Sequence, residues 1–269
     1  MEGPIAIEDP HDPRVADYVG LTDPDLRRRV EAGGGFFVAE THLVIRRLLT
    51  TRHRVRSVLV TPRELERLAD VLDLPDAPVY VASPAVMRAV AGFDIHRGAL
   101  AAADRFPLSD PVDLLREASR VAVLERVNDH ENLGMIFRNA AALGIDAVLL
   151  CPECSDPLYR RSVRVSVGHA LTVPFTRLEP WPDALGLVRD AGFVLVALTP
   201  REDATPITAM EVGGVERIAL MLGAEGPGLR EESIERADIR VRIPMSRDAD
   251  SLNVASAAAI AFHALRDRG

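Results

Sequence analysis

Three short stretches of the chain hold the side chains best suited to chemistry. The first is Asn128-Asp129-His130-Glu131-Asn132-Leu133-Gly134, which follows the apolar run RVAVLERV and leads into MIFRNAAALG. That last run is predicted to be helical and to close at Gly144 as a C-cap. Arg138 then falls in the first two turns, from which a long side chain can reach back toward the strand end. A guanidinium among so many apolar and small neighbours calls for an acidic or phosphate partner. His130 beside Glu131 could suggest a metal, but no second histidine stands at HExxH spacing, so none is expected there.

The second stretch, Gly223-Ala224-Glu225-Gly226-Pro227-Gly228-Leu229, joins a predicted strand, RIALMLG, to a helical REESIERA. Its glycines fit neither a dinucleotide-binding GxGxxG turn nor a phosphate-cradling GxxxxGK[ST] loop. A nicotinamide-dependent dehydrogenase is disfavoured on that ground. Glu225 inside the turn repels phosphate and is suited to accept from hydroxyl or amine groups, or to pair with an arginine. The third stretch, IRVRIPMSRDADSLNVASAAAIAFHAL, combines a strand, a turn and an alanine-rich final helix. Ser251 is the expected N-cap, with Asn253 in the first turn. The small surface of that helix suits either tight packing within the chain or a close subunit interface.

The elements that must position these residues alternate apolar runs with helix-period segments, twice over, in a chain of 269 residues. The Pro- and Asp-bearing stretch DRFPLSDPVD (104–113) separates the two occurrences. We therefore expect an N-terminal domain over 1–105, with an extended beginning, and a C-terminal domain over 106–269. In the first, FFVA, VRSVLV, PVYVA and GALAAA read as strands, and ETHLVIRRLL, PRELERLADVL and SPAVMRAV as helices. In the second, RVAVLERV, DAVLLC, LTVPF, FVLVAL, RIALMLG and IRVRIP read as strands. Runs of Val, Leu and Ile without polar alternation fit a mostly parallel sheet buried on both faces, so the fold class is α/β. Ligands of such sheets bind beyond the carboxyl ends of the strands.

No apolar run reaches the roughly 18–20 residues of a membrane helix, and the acidic start MEGPIAIEDPHDP lacks the features of a secretory signal. A cytoplasmic location without a membrane partner is expected. The formal net charge of −8 does not advertise a nucleic-acid partner. Its distribution says more, because 26–56 carries eight arginines against two acids and the whole chain contains no lysine. That stretch is either a solvated face or a phosphate-tracking surface, for which planar guanidinium groups are well suited. Cys151 and Cys154 supply only half of a four-ligand zinc site and read as ordinary thiols. A redox role would need the pair at a helix N-terminus, which the following residues do not clearly provide.

Taken together, NDHENLGMIFRNAAALG, LMLGAEGPGL and IPMSRDADSLNVASAAAIAFHAL closely resemble, in order and separation, the three motifs of the SpoU (TrmH-like) RNA 2′-O-ribose methyltransferases. GGGFFVAETHLVIRRLL is similar to the start of the family's N-terminal substrate-binding domain, and PLYRRSVRVSVGHALTVPF to its stretch between the first and second motifs. The resemblance implies a trefoil-knotted C-terminal domain, S-adenosyl-L-methionine as cofactor, RNA as substrate, no metal, and a homodimer whose active site draws on both subunits. By matching motif positions, Asn132, Arg138, Glu225, Ser251 and Asn253 are the implied catalytic residues. Thr199, Gly223, Ile243, Met245 and Leu252 are the implied cofactor contacts. Candidate RNA contacts are Arg27, Arg28, Arg29, Arg46 and Arg164. Arg247 stands where members of the family usually carry Gly.

The expected activity is methyl transfer from S-adenosylmethionine to a ribose 2′-hydroxyl, of ribosomal RNA in preference to transfer RNA. Such a displacement rests on positioning and removal of the hydroxyl proton. A guanidinium with a pKa above about 12 is a poor base, so Arg138 is better cast as a phosphate clamp. The alternative is a non-catalytic RNA-binding or ribosome-assembly module that keeps the fold. A truncation beginning near Pro107 is expected to keep cofactor binding and lose RNA selectivity.

Overall fold

The computed structural model describes residues 3–22, 33–95, 98–210, 215–246 and 251–266. Arg27, Arg28, Arg29 and Arg247 lie outside the described residues. The chain divides into two compact units, one of residues 1–107 with 158–171, the other of 108–157 with 172–269.

In the first unit a five-stranded sheet runs in the order β1 (Ile5–Ile7), β4 (Val79–Ala82), β3 (Val55–Val60), β5 (Ala99–Asp104), β2 (Phe36–Glu40). β1, β4 and β3 pair in parallel, whereas β5 runs antiparallel to both β3 and β2. Three helices, α1 (His42–Leu48), α2 (Pro62–Leu68) and α3 (Pro84–Ala91), follow β2, β3 and β4. Each begins where Thr41, Thr61 or Ser83 accepts a backbone N–H of its first turn, and proline stands at the first position of α2 and α3. Phe36, Val38, Leu59, Leu100 and Met87 pack around Tyr18, whose hydroxyl lies 2.8 Å from the Ser57 carbonyl, to which it donates. The segment 158–171, which lies in sequence well past the boundary expected near 105, belongs to this unit. Its helix α6 (Arg160–Val165) packs on β2, with Arg160 paired to the buried Glu40.

The second unit is built on a seven-stranded sheet of order β10 (Thr205–Pro206), β12 (Ile239–Arg242), β9 (Val194–Leu198), β11 (Ile218–Gly223), β6 (Arg120–Glu125), β7 (Ala147–Leu150), β8 (Phe175–Arg177). Every pairing in it is parallel. Its strands are almost wholly apolar because helices cover them: α4 (Pro111–Glu117), α5 (His130–Leu143), α7 (Leu185–Asp190), α8 (Glu231–Glu235) and α9 (Val254–Arg266). Val121, Val123, Leu149, Leu195 and Met221 of the strands meet Leu115, Leu185, Val188 and Ile234 of the helices in one core. α5 ends at Gly144 (φ 74°), whose N–H returns to the Ala140 carbonyl, as the sequence led us to expect.

One expected strand is displaced. LTVPF was expected to form it, but 169–171 is a 3₁₀ turn and β8 starts only at Phe175. Pro174 has no N–H to give a ladder, and it meets β7 through its carbonyl alone, accepting from Val148 N at 2.9 Å. No described helix is long and apolar enough to cross a membrane.

Candidate active site

The carboxyl ends of β6, β9, β11 and β12 converge on the residues singled out by the sequence. β6 closes on Glu125, fully buried, whose carboxylate accepts the Trp181 indole N–H and the Arg230 backbone N–H, each at 3.0 Å. Arg126 then turns the chain with φ 56°, and its guanidinium donates to the Gly228 carbonyl at 3.2 Å. The chain next enters α5, capped by Asp129, whose Oδ1 accepts the N–H groups of Glu131 (2.9 Å) and Asn132 (2.8 Å). Asn132 is thereby fixed in the first turn.

Asn253, not Ser251, caps α9. Its Oδ1 accepts the backbone N–H groups of Ala255 (3.0 Å) and Ser256 (3.2 Å). With that oxygen committed to the helix, Nδ2 must face the other way. It donates to Asn132 Oδ1 at 2.8 Å and to the Glu225 carboxylate. Ser251 instead lies two residues before the cap, on the wall of the adjoining cleft. The two helices are also tied directly, since Asn139 Nδ2 donates to the Ala255 carbonyl at 2.9 Å.

Glu225 owes its place to the turn after β11. The turn folds back so closely that Gly228 N bonds to Ala224 O at 3.0 Å. A Cβ at Gly223 would sit 2.1 Å from backbone atoms of Gly228 and Leu229, so no other residue fits. Beside the turn opens a cleft, partly facing solvent and lined by Thr199, Gly223, Ile243, Met245 and Leu252 together with Glu225 and Ser251. All five residues implied as cofactor contacts thus line one cleft. A second hollow, bounded by Asn128, Asp129 and Asn132, shares Ala224, Glu225 and Val254 with the first. Glu225 stands on the wall common to both.

Arg138 is not part of this cluster. It lies six residues beyond Asn132 on α5, about 9 Å further along the axis and about two-thirds of a turn round. Its side chain is exposed, and no hydrogen bond or ion pair holds it among the described residues. The same surface carries exposed Met135, and α9 exposes Ile260, while exposed Leu252 precedes the cap of α9 at the cleft. Of the candidate RNA contacts, Arg46 is committed to Asp70 through two bonds (2.8 and 2.6 Å) and to the Arg67 carbonyl. Arg164 lies 3.6 Å from Glu40 with its side chain 37% exposed.

Several positioning residues escaped the sequence reading: Glu125, Arg126, Asp129 and Asn139. Only Asp129 carried a readable signal, an Asp immediately before a helical run. The others act through tertiary partners that no local pattern announces.

Residues 119–263 match the SpoU rRNA Methylase family. An uncharacterized tRNA/rRNA methyltransferase of Mycobacterium tuberculosis is 49% identical over 95% of this chain and 89% of its own length. A 23S rRNA (guanosine-2′-O-)-methyltransferase of Acinetobacter baylyi is 32% identical over 77% of this chain and 86% of its own. Among solved structures, an AdoMet-bound rRNA methyltransferase from Sinorhizobium meliloti superposes with a TM-score of 0.81 at 26% identity, covering 97% of each chain. The matched domain, the near-full-length relatives and the residues gathered at the strand ends agree: the chain belongs to the SpoU rRNA methylase family.

Proposed function

We propose that this protein is an S-adenosyl-L-methionine-dependent RNA (ribose-2′-O-)methyltransferase acting on ribosomal RNA. The observation that carries the reading is the shared wall at Glu225, with the cleft of Thr199, Gly223, Ile243, Met245 and Leu252 on one side and Asn132 on the other. Two reactants held on either side of one carboxylate are placed for a direct displacement. Ribosomal RNA and the ribose 2′-oxygen are favoured by the Acinetobacter relative, whose name specifies both.

The cleft fits the cofactor. Ile243, Met245 and Leu252 offer an apolar seat for a base, and Thr199 and Ser251 offer hydroxyls. The carboxylate of Glu225 on the wall favours a cationic guest, and the close-folded turn at Gly223 brings backbone to the cleft edge. When bound, S-adenosylmethionine supplies a methyl group activated by a sulfonium centre.

The chain's own residues supply orientation. Asn253 holds Glu225 and Asn132 in register, leaving the second carboxylate oxygen of Glu225 to accept from a ribose hydroxyl or from the cofactor. Ser251 donates at the cleft mouth. Arg138 clamps the phosphate next to the target ribose. Because Arg138 stands apart from Asn132 within one chain, this role fits a homodimer in which one subunit's Arg138 serves the other's cleft, and the exposed apolar Met135 and Ile260 suit that interface. The return of the last segment to the turn after β11 is consistent with a knotted domain. Target choice falls to the first unit, through Arg164 with Arg27, Arg28 and Arg29 as further contacts.

The deciding experiment maps 2′-O-methyl positions in total RNA from cells with and without the protein, and in purified ribosomal RNA treated with the protein and labelled cofactor. One ribose that loses its methyl in the first comparison and gains label in the second is the expected result. Label on a base, or on no RNA at all, would refute the reading. RNA affinity is expected to fall steeply with salt, as phosphate contacts require.

A further inference from the structure

Neither cysteine takes part in the chemistry above. Cys151 follows β7 and Cys154 ends the tight turn after it, with Cys154 N bonded to Cys151 O at 3.1 Å. Both side chains are buried, yet Pro152 and Glu153 between them are exposed. The sulfurs stand 3.7 Å apart, a gap that adjustment of a surface turn can close to the ~2.05 Å of a disulfide.

The surroundings make the two sulfurs unequal. Cys151 Sγ receives the Arg126 backbone N–H at 3.1 Å, while the single Cys154 thiol proton is shared between the Leu124 carbonyl, 3.2 Å away, and Cys151 Sγ. Arg177 wraps the turn, donating to the carbonyls of Cys151 and Pro152 (3.0 Å each) and Cys154 (3.1 Å). Hydrogen bonding from Cys154 and from the Arg126 N–H holds the Cys151 thiol below the usual range, whereas its bond to Cys151 and burial push Cys154 up. The part expected of a helix N-terminus is thus played by one strand-end amide and the partner thiol.

We propose that Cys151 and Cys154 form a peroxide-responsive dithiol, Cys151 attacking and Cys154 resolving, whose closure loosens the strand end that carries the candidate active site. In the first step the Cys151 thiolate attacks a hydroperoxide oxygen. The O–O bond breaks, the sulfur becomes a sulfenic acid, and the departing oxygen takes a proton to leave as water or an alcohol. In the second, Cys154 sulfur displaces the sulfenic hydroxyl, which leaves with the Cys154 proton as water, and the S–S bond forms. Two thiols are oxidised and one peroxide is reduced. A small dithiol reverses the change by exchange.

The link to the site runs through backbone. Ser155 N bonds to Val127 O at 3.0 Å and Ser155 Oγ to Asn128 O at 2.5 Å, immediately before the cap of α5. Disulfide formation removes the Cys154 donor from Leu124 and draws the Cys151 sulfur from Arg126, the residue that also holds Gly228. This coupling rests on the methyltransferase reading, whereas formation of the disulfide does not.

The test treats full-length protein with hydrogen peroxide under native conditions, alkylates remaining thiols and measures intact mass. The expected result is loss of two hydrogens and of both alkylation sites, reversed by dithiothreitol. Cys154→Ala should instead keep a dimedone-reactive sulfenic acid on Cys151, and Cys151→Ala should trap none. Thiols that stay alkylatable in the native protein while oxidising in urea would overturn the pair, and the wild-type measurement suffices for this if a variant fails to fold. Methyl transfer by the oxidised protein should fall about fivefold or more and recover on reduction; unchanged transfer by fully oxidised protein would overturn the coupling. A reduced protein inactive on every RNA would count against the function proposed above and leave the thiol result standing.

Discussion

Asn253 caps its own helix with the oxygen of its side-chain amide and holds the carboxylate of Glu225 with the nitrogen. The cap and the constellation are therefore one feature, because the helix amides decide which end of Asn253 faces the cleft. Glu225→Gln tests this economically. The introduced amide can turn its carbonyl to Asn253 and so keep the bond, but it gives up the charge. Losing a charged hydrogen-bond partner costs about 1.5–3 kcal/mol, so kcat/KM should drop about tenfold to a hundredfold. Thermal stability should hold, since Glu225 is exposed in a surface turn. A matching loss of melting temperature would reduce Glu225 to a turn residue.

Gly223→Ala tests the turn itself. With its Cβ 2.1 Å from the backbone of Gly228 and Leu229, the added methyl cannot be met by a side-chain rotation. The 224–228 turn must open, carrying Glu225 away from Asn253. We expect cofactor affinity, read by titration calorimetry, to fall at least about tenfold, with roughly 1–3 kcal/mol of stability lost. Retention of both would mean that the turn does not shape the cleft.

The sheet was legible where burial on both faces writes continuous apolar runs, as in VAVLE of β6 and VLVAL of β9. It was not legible in β1, three residues that become a strand only because β4 offers an edge in parallel register. The site was legible as residue types at strand ends and illegible as bonds. Ser251 and Asn253 are both good caps by composition, and Asn253 prevails because its other end finds Asn132 and Glu225 across the fold. The cysteines teach the same lesson, since the Arg126 amide that sets Cys151 apart comes from the turn after another strand.

Arg138 lies on a different side of α5 from Asn132 and holds no partner among the described residues. Arg138→Ala should therefore leave stability within about 0.5 kcal/mol and cofactor binding intact while abolishing methylation. Mixing decides whether it acts across subunits. If each site takes Arg138 from one chain and Glu225 from the other, Arg138→Ala and Glu225→Gln chains reassorted together regain one intact site per mixed dimer, about a quarter of wild-type activity. No recovery after verified exchange of subunits would place Arg138 in the same chain's site.

The segment 158–171 makes the two units unequal in their ability to stand alone. Arg160 pairs with Glu40, donates to the Leu21 carbonyl at 3.3 Å and lies over the Phe93 ring at 4.8 Å, all within the first unit. A fragment beginning at Leu108 removes all three partners and leaves apolar Val163, Ala170 and Leu171, buried in the whole protein, without cover. The truncation expected from sequence to keep cofactor binding should therefore be cut by protease within 158–171, where the full chain resists, and mass spectrometry of the fragments reads the site of cleavage. In the intact chain Arg160→Ala should cost about 3–5 kcal/mol, because Glu40 stays buried with, among the described residues, only Arg164, 3.6 Å away, to meet its charge. Equal protease resistance of fragment and full chain would show that 158–171 needs none of these contacts, and the boundary near residue 105 would then separate two independent domains.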